Sequence, residues 1–421
     1  VPDETYRRVM ENERASTDET ERGDISMNAA EEKPLVREAL VEDARWERAL
    51  ARALARVKGP TDLAILFASG LYAESLPELV RRAYEESEVR LLIGCSGQGV
   101  IGQGEELEET AALALMTLQL PGARLRVVRF TQALVEECER AEEWHTRLGL
   151  PPEEVNAWLI LADPFRLDSE ALLEGLARAY PHCPIVGGLA SAHPLLQRTF
   201  VFRNGQVFGE GGVGLALGGP YTILPLVSQG CEPIGEPWTI TSVRGNLVET
   251  ISNRPAYELL LETLQELPPF LQRRARHNLL VGLAANEYRE SFGRGSFLVR
   301  PLIGVDRLSG GLAIGAMPRV GQTIQFQMRD ASTADMDLRD ALERAREELR
   351  DREPVAAILC TCNGRGMNLF DTPNHDAEAV EHYLGPLPLI GLFCSGEIGP
   401  VDGRPFLHGF TACMALLVRR E

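Results

Sequence analysis

Short apolar runs alternate with amphipathic stretches along this chain, and one order of segments occurs three times. In the first copy the run Ala64–Ala68 precedes a helical stretch, Leu76–Glu86. A second run, Arg90–Cys95, ends in Ser96-Gly97, and after a glycine-rich loop comes Ala111–Leu120. The second copy reads Trp158–Asp163, Ser169–Tyr180, Pro184–Gly188 and Gly211–Leu217. The third reads Val355–Cys360, Ala377–Leu384 and Pro388–Phe393, leads into Cys394-Ser395-Gly396, and closes with Gly409–Val418. Each copy predicts strand, helix, strand, glycine-rich turn and strand. Strands alternating with helices of about 10–12 residues predict an α/β fold. The runs are almost wholly apolar, as expected when both faces of a sheet are covered.

A poorer set of strand-like runs lies at Asn278–Leu283, Phe297–Ile303, Gly311–Ile314 and Thr323–Met328, flanked by helical patterns at Ala256–Leu267 and Asp337–Arg352. Glycine and proline gather at Gln229–Glu236, which is the expected boundary between two similar halves. The fold class is therefore α/β, with two related domains whose mixed β-sheets are built from repeated strand–helix–strand units. Residues 1–34 are polar and acidic and read as a flexible arm. Leu35, Leu40, Val41, Trp46, Leu50, Leu54 and Val57 recur at helical spacing, predicting an amphipathic helix over 35–57. The two domains are expected over 58–230 and 231–421.

Composition narrows the function. The 421 residues carry a formal net charge of −18, which disfavours nucleic acid and anionic membranes as partners. Only Lys33 and Lys58 are lysines, and no Gly-Lys-Ser/Thr phosphate loop occurs. Eight cysteines are too few for a disulfide scaffold of this length. No start segment resembles a signal peptide and no run spans a bilayer, so a reduced, cytoplasmic protein is expected.

Among the motifs, Gly97-x-Gly99-x-x-Gly102 and Gly209-x-Gly211-x-x-Gly214 match the dinucleotide fingerprint, but each leads into a strand where the fingerprint needs a helix. They read as tight turns. Cys360-x-Cys362 places both thiols on one strand face, with Cys394 on the matching strand. These three, with His375 or His408, form a possible reactive or soft-metal set, although free cysteine is also a common core residue. Cys394-Ser395-Gly396-Glu397 at a strand end offers a nucleophile with His408 as base. Asn363-Gly364-Arg365-Gly366 sets an arginine between two glycines at another strand end, well placed to clamp a carboxylate or phosphate. Glu397 is expected to meet an amino group or to pair with Arg365. His145, His182 and His277 read as surface histidines, and Asp337–Glu353 as a solvated helix face.

Cys362-Asn363-Gly364-Arg365-Gly366, Gly391–Pro400 and Leu407–Thr411 resemble the C-terminal FIST domain. Gly94-Cys95-Ser96, Gly187-Gly188-Leu189-Ala190 and Gly230–Gly235 resemble the FIST N-terminal domain. The resemblance covers roughly residues 60–415. It implies an intracellular sensor of small ligands such as amino acids, acting in signal transduction. Because no kinase, cyclase or receptor module is fused here, output through a separate signalling protein is expected. The family has no settled catalytic residues. The ligand set read from this sequence is Asn363, Arg365, Ser395, Glu397 and His408, with Arg365 on a carboxylate and Glu397 on an amino group. No cofactor is expected. The resemblance leaves a haem-binding nitric-oxide sensor as one alternative, with His408 as axial ligand. A cysteine-dependent enzyme and a non-catalytic scaffold are the others.

Overall fold

A computed structural model describes residues 33–420 except 194, 195, 197, 276, 277 and 351. The expected acidic arm lies outside the described residues apart from its last two. The first unit runs β1 (Leu35–Glu42), α1 (Trp46–Val57), β2 (Leu63–Ser69), α2 (Leu76–Glu86), β3 (Leu91–Gly97), β4 (Val100–Gly102), β5 (Glu105–Leu107) and β6 (Ala112–Gln119). The second runs β7 (Arg124–Phe130), α3 (Gln132–Glu137), α4 (Ala141–Leu148), β8 (Ala157–Ala162), α5 (Ser169–Ala179), β9 (Ile185–Leu189), β10 (Val201–Arg203), β11 (Gln206–Phe208) and β12 (Gly212–Gly218). The third opens with β13 (Tyr221–Ser228) and is then interrupted. The insertion comprises β14 (Glu232–Arg244), β15 (Leu247–Ile251), β16 (Arg254–Pro255), α6 (Ala256–Glu266), α7 (Pro269–Ala275), β17 (Leu279–Ala284), β18 (Phe297–Asp306), β19 (Gly311–Ile314) and β20 (Thr323–Met328). The third unit resumes with α8 (Ala331–Leu349), β21 (Ala356–Cys362), α9 (Met367–Phe370), α10 (His375–Leu384), β22 (Leu389–Cys394), β23 (Glu397–Val401), β24 (Arg404–His408) and β25 (Ala412–Arg419).

The three repeated units build three six-stranded sheets of one topology. Their orders are β1-β6-β2-β3-β10-β11, β7-β12-β8-β9-β23-β24 and β13-β25-β21-β22-β4-β5. In each, only the pair around the crossover helix is parallel. The last two strands of every sheet are a hairpin lent by another unit. The first unit lends its hairpin to the third, the third to the second, and the second to the first. Pairing therefore crosses the 230/231 division expected from sequence in both directions, through β4 on β22 and β23 on β9. The insertion forms its own seven-stranded sheet.

Alternation along the strands explains the continuous apolar runs. Leu63, Ile65 and Phe67 of β2 face a central core shared with Leu159 and Leu161 of β8 and Ile358 and Cys360 of β21. Ala64, Leu66 and Ala68 face the helices instead. Adjacent residues thus bury opposite faces, each in its own core.

A glycine at one register makes the parallel pair possible in all three units. Gly94 lies opposite Leu66, Gly187 opposite Ile160 and Gly391 opposite Leu359. A Cβ on them would stand 1.9, 1.8 and 2.3 Å from the carbonyl oxygens of those partners. No side chain fits there.

The segment expected as one helix over 35–57 is a strand followed by a helix. Residues 35–42 pair antiparallel along the whole of β6, and the helix starts only at Trp46. Leu40 and Val41 bury opposite faces of β1, one in each core, while Leu35 is exposed, so a stretch this short carries no decisive period, strand or helix. The free edge of β6 decides between them. Asp43 then accepts from the Arg45 N–H at 2.9 Å and turns the chain into α1.

Candidate functional site

The site forms where β21 runs out beside the insertion. After Cys362 the chain makes the Asn363-Gly364-Arg365-Gly366 turn, held by the Asn363 N–H donating to Cys394 O (3.0 Å) and the Arg365 N–H to Cys362 O (2.8 Å). Gly366 has φ +58, and a Cβ there would meet the Glu108 carboxylate at 2.3 Å. The turn sends the Arg365 side chain inward, where it is 0% exposed.

Arg365 does not pair with Glu397. Its Nε and Nη2 donate to Asp376 Oδ2 and Oδ1 at 2.7 and 2.8 Å, a bidentate pair. Asp376 also accepts from Thr361 Oγ1 at 2.8 Å, and His375 Nδ1 lies 2.9 Å from its Oδ1. His375 Nε2 is 3.1 Å from Asp335 Oδ1, and its ring stacks on Phe370 at 3.4 Å. Burial alone would raise the Asp376 pKa, but the Arg365 charge and hydrogen bonds hold it well below the usual carboxylate range. Burial likewise opposes the Arg365 charge, yet Asp376 leaves the guanidinium pKa raised.

Around this pair lie polar atoms without protein partners. Arg365 Nη1, Glu397 Oε1, Asn363 Oδ1 and Arg329 Nε are all buried and unsatisfied. Each such atom costs about 1–3 kcal/mol in a dry interior. Glu397 is fully buried, and its Oε2 accepts from the Thr411 N–H at 3.1 Å. Burial pushes its pKa up, against the pull of that hydrogen bond and of Arg365 and Arg329. Arg329 follows β20; its Nη2 donates to Gly364 O at 3.1 Å, and its guanidinium lies 5.4 Å from the Phe410 ring. Burial, then the Arg365 charge, lowers its pKa.

Register shows how unusual Glu397 is. It lies opposite Gly188, where the other two units set Val100 opposite Leu392 and Val201 opposite Cys95. Val100 and Val201 belong to the central core. The third unit alone puts a carboxyl at that position.

The remaining sequence candidates divide. Ser395 is exposed. His408 is buried on β24, with Nε2 3.0 Å from Gly399 O and Nδ1 unpartnered. Burial lowers its pKa to about 4, so the ring is neutral. His408 lines none of the cavities of about 700, 430, 370 and 250 Å³. Cys360 and Cys394 are buried in the central core and Cys362 sits half-buried at the strand end. Burial, then Glu397, pushes the Cys362 thiol up to about 11, and burial also raises Cys394. Neither has the lowered pKa of a nucleophilic thiolate. Among the described residues, no three of His, Cys, Asp and Glu are arranged to hold a metal ion. The two glycine fingerprints are turns between strands.

Asp376, Arg329 and Glu106 escaped the sequence reading. Glu106 comes from the lent hairpin, accepts from the Ala377 N–H at 2.8 Å, and leaves Oε2 unpartnered. Burial, then the Asp376 charge, raises its pKa to about 8. Asp337, expected on a solvated face, is 6% exposed and accepts from Ser228 Oγ and the Gly230 N–H. Only the Asp–Ala–x–x–Val pattern of α10 hints at Asp376, and nothing local marks the others.

Comparison with known proteins agrees with this architecture. An uncharacterized protein of Mycobacterium tuberculosis (strain ATCC 25618 / H37Rv) is 37% identical over 383 residues, covering 89% of this chain and 97% of that protein. One from Mycobacterium bovis (strain ATCC BAA-935 / AF2122/97) is 35% identical over 370 residues, covering 85% and 90%. A solved cyanuric acid hydrolase from A. caulinodans aligns over 92% of this chain and 100% of its own at 11% identity and a TM-score of 0.34, too low to carry any argument. The FIST N domain family model matches residues 62–254 and the FIST C domain model matches 256–400. This chain belongs to the FIST family.

Proposed function

We propose that this protein senses a small polar metabolite carrying both a carboxylate and an ammonium group, such as an amino acid, and signals through a separate partner protein. Domains of this family are small-ligand sensor modules that act in signalling. The observation that carries the ligand assignment is the set of unpaired buried atoms of both kinds, the Arg365 Nη1 donor and the Glu397 Oε1 acceptor, beside the second guanidinium of Arg329. Arg365 and Arg329 take the carboxylate, with Asn363 beside them. Glu397 takes the ammonium, and does so by giving up its proton. Ser395, on the surface, and His408, tied to Gly399, stand outside this contact set.

Because Arg365 is fully buried, a ligand reaches it only when its cover moves. The lent hairpin is that cover. Its Glu108 accepts from the Met367 N–H at 2.9 Å and its Glu106 from the Ala377 N–H at 2.8 Å. Ligand entry is thereby linked to a shift between two arrangements of the first and third units, which a partner can read. No helix among the described residues is long and apolar enough to cross a membrane.

The test is mass spectrometry of small molecules released on denaturing gently purified protein, followed by calorimetric titration of the released compound in buffers of different ionisation enthalpy. Binding is expected to release protons, because an ammonium group on Glu397 lowers its raised pKa. Glu397→Gln should abolish that release and weaken binding about tenfold or more. Unchanged affinity and proton release in this variant would sink the assignment.

A further inference from the structure

A cavity of about 250 Å³ opens where the insertion, α8 and the turn of the lent hairpin β23–β24 meet. Gln229, Asp337, Arg294, Arg344 and Asp402 supply its polar lining. Most of that charge is already matched. Arg289 holds Asp402 at 2.6 and 2.9 Å, and Arg294 holds Asp340 at 3.1 Å. Three groups keep unused capacity. Gln229 is 5% exposed, yet its Nε2 finds no acceptor. Arg344 has no hydrogen-bond or ion-pair partner among the described residues. Asp337 receives Ser228 Oγ (2.8 Å) and the Gly230 N–H (2.9 Å) on the same oxygen, Oδ2, leaving Oδ1 without a donor among the described residues.

An almost fully buried carboxamide donor, an unpaired guanidinium and a carboxylate with a spare oxygen, lining one cavity, ask for a matching set of groups. We infer that this cavity is a second ligand site, distinct from the Arg365 interior, and that it takes a small hydroxycarboxylate. The carboxylate lies on the Arg344 guanidinium and the Gln229 amide, since a planar guanidinium is the natural partner of a planar anion. The hydroxyl donates to Asp337. A phosphate dianion fits less well, because Asp337 and Asp402 both line the space. The volume suits a molecule of roughly six to ten heavy atoms. The site adjoins the interior one through a single residue: a Cβ on Gly230 would lie 3.1 Å from Arg365 Nη1. Its existence does not depend on the amino-acid reading above.

The experiment is calorimetric titration of the full chain with glycolate and lactate, with acetate and inorganic phosphate as comparators. Saturable one-to-one binding of the hydroxycarboxylates is expected, weakened about tenfold or more in Arg344→Ala and in Gln229→Leu. Arg344 is exposed on α8, so its truncation leaves the core intact. Glu397→Gln should leave this binding unchanged. The inference is overturned by any of four results. These are no saturation up to about 10 mM, affinity indifferent to both variants, acetate or phosphate binding as well as glycolate, or a loss in Glu397→Gln equal to that in Arg344→Ala.

Discussion

Replacing Asp376 by alanine gives the most direct measure of how the buried ion pair is held. The change removes the acceptor of Arg365 Nε and Nη2, of Thr361 Oγ1 and of the bond with His375. Arg365 cannot swing to water, being 0% exposed, and its Nη1 is unpartnered already. Breaking a buried pair from one side typically costs ~3–5 kcal/mol, because a charge is left buried and uncompensated. An unfolding entropy of about 2.1 cal/mol/K per residue over the 421-residue chain converts this to a fall of about 3–6 °C in Tm. Urea unfolding followed by circular dichroism would read the same loss as a lower midpoint at constant slope. The double variant Arg365→Met with Asp376→Leu removes both charges together, so it should be clearly milder than Asp376→Ala alone. A single-variant loss below about 1 kcal/mol, or a double variant as damaging as the two singles summed, would refute the reasoning.

Two further outcomes follow from the fold and the buried carboxyls. Gly391→Ala should strongly reduce the yield of folded protein, since its Cβ would stand 2.3 Å from Leu359 O, whereas Gly409→Ala, with nothing within 4 Å, should be nearly neutral in a thermal melt. Glu106 has a folded pKa raised to about 8, against ~4.3 when unfolded, so its contribution is complete below about pH 4.3 and is lost as pH rises towards 8. Measured against Glu106→Gln, the wild type should therefore lose stability between pH 5 and 8, by at most about 1.4 kcal/mol per pH unit. Parallel pH profiles of the two proteins would contradict that assignment.

The local pattern of the chain determined its elements and their repetition. Val355–Cys360 and Pro388–Phe393 appear as β21 and β22, and Ser169–Tyr180 as α5, because apolar periodicity and strand glycines act within a few residues. The mixed α/β character was legible for the same reason. Which edge a hairpin completes was not. Val100–Leu107 could sit on any equivalent strand as far as local preference goes, and only assembly of all three sheets around one core places it on β22. The 35–42 strand depended in the same way on the free edge of β6. At the site, sequence singled out Arg365 and Glu397 as the charged pair but assigned the ion pair wrongly where it joined them. Asp376, in the first turn of α10, reaches two of the three guanidinium nitrogens, while Glu397 sits in a sheet belonging to the second unit. Charge identity is written in the sequence. Protonation is a property of the assembled fold: Arg365 holds the Asp376 carboxyl low against its burial, while burial pushes the Glu397 carboxyl up.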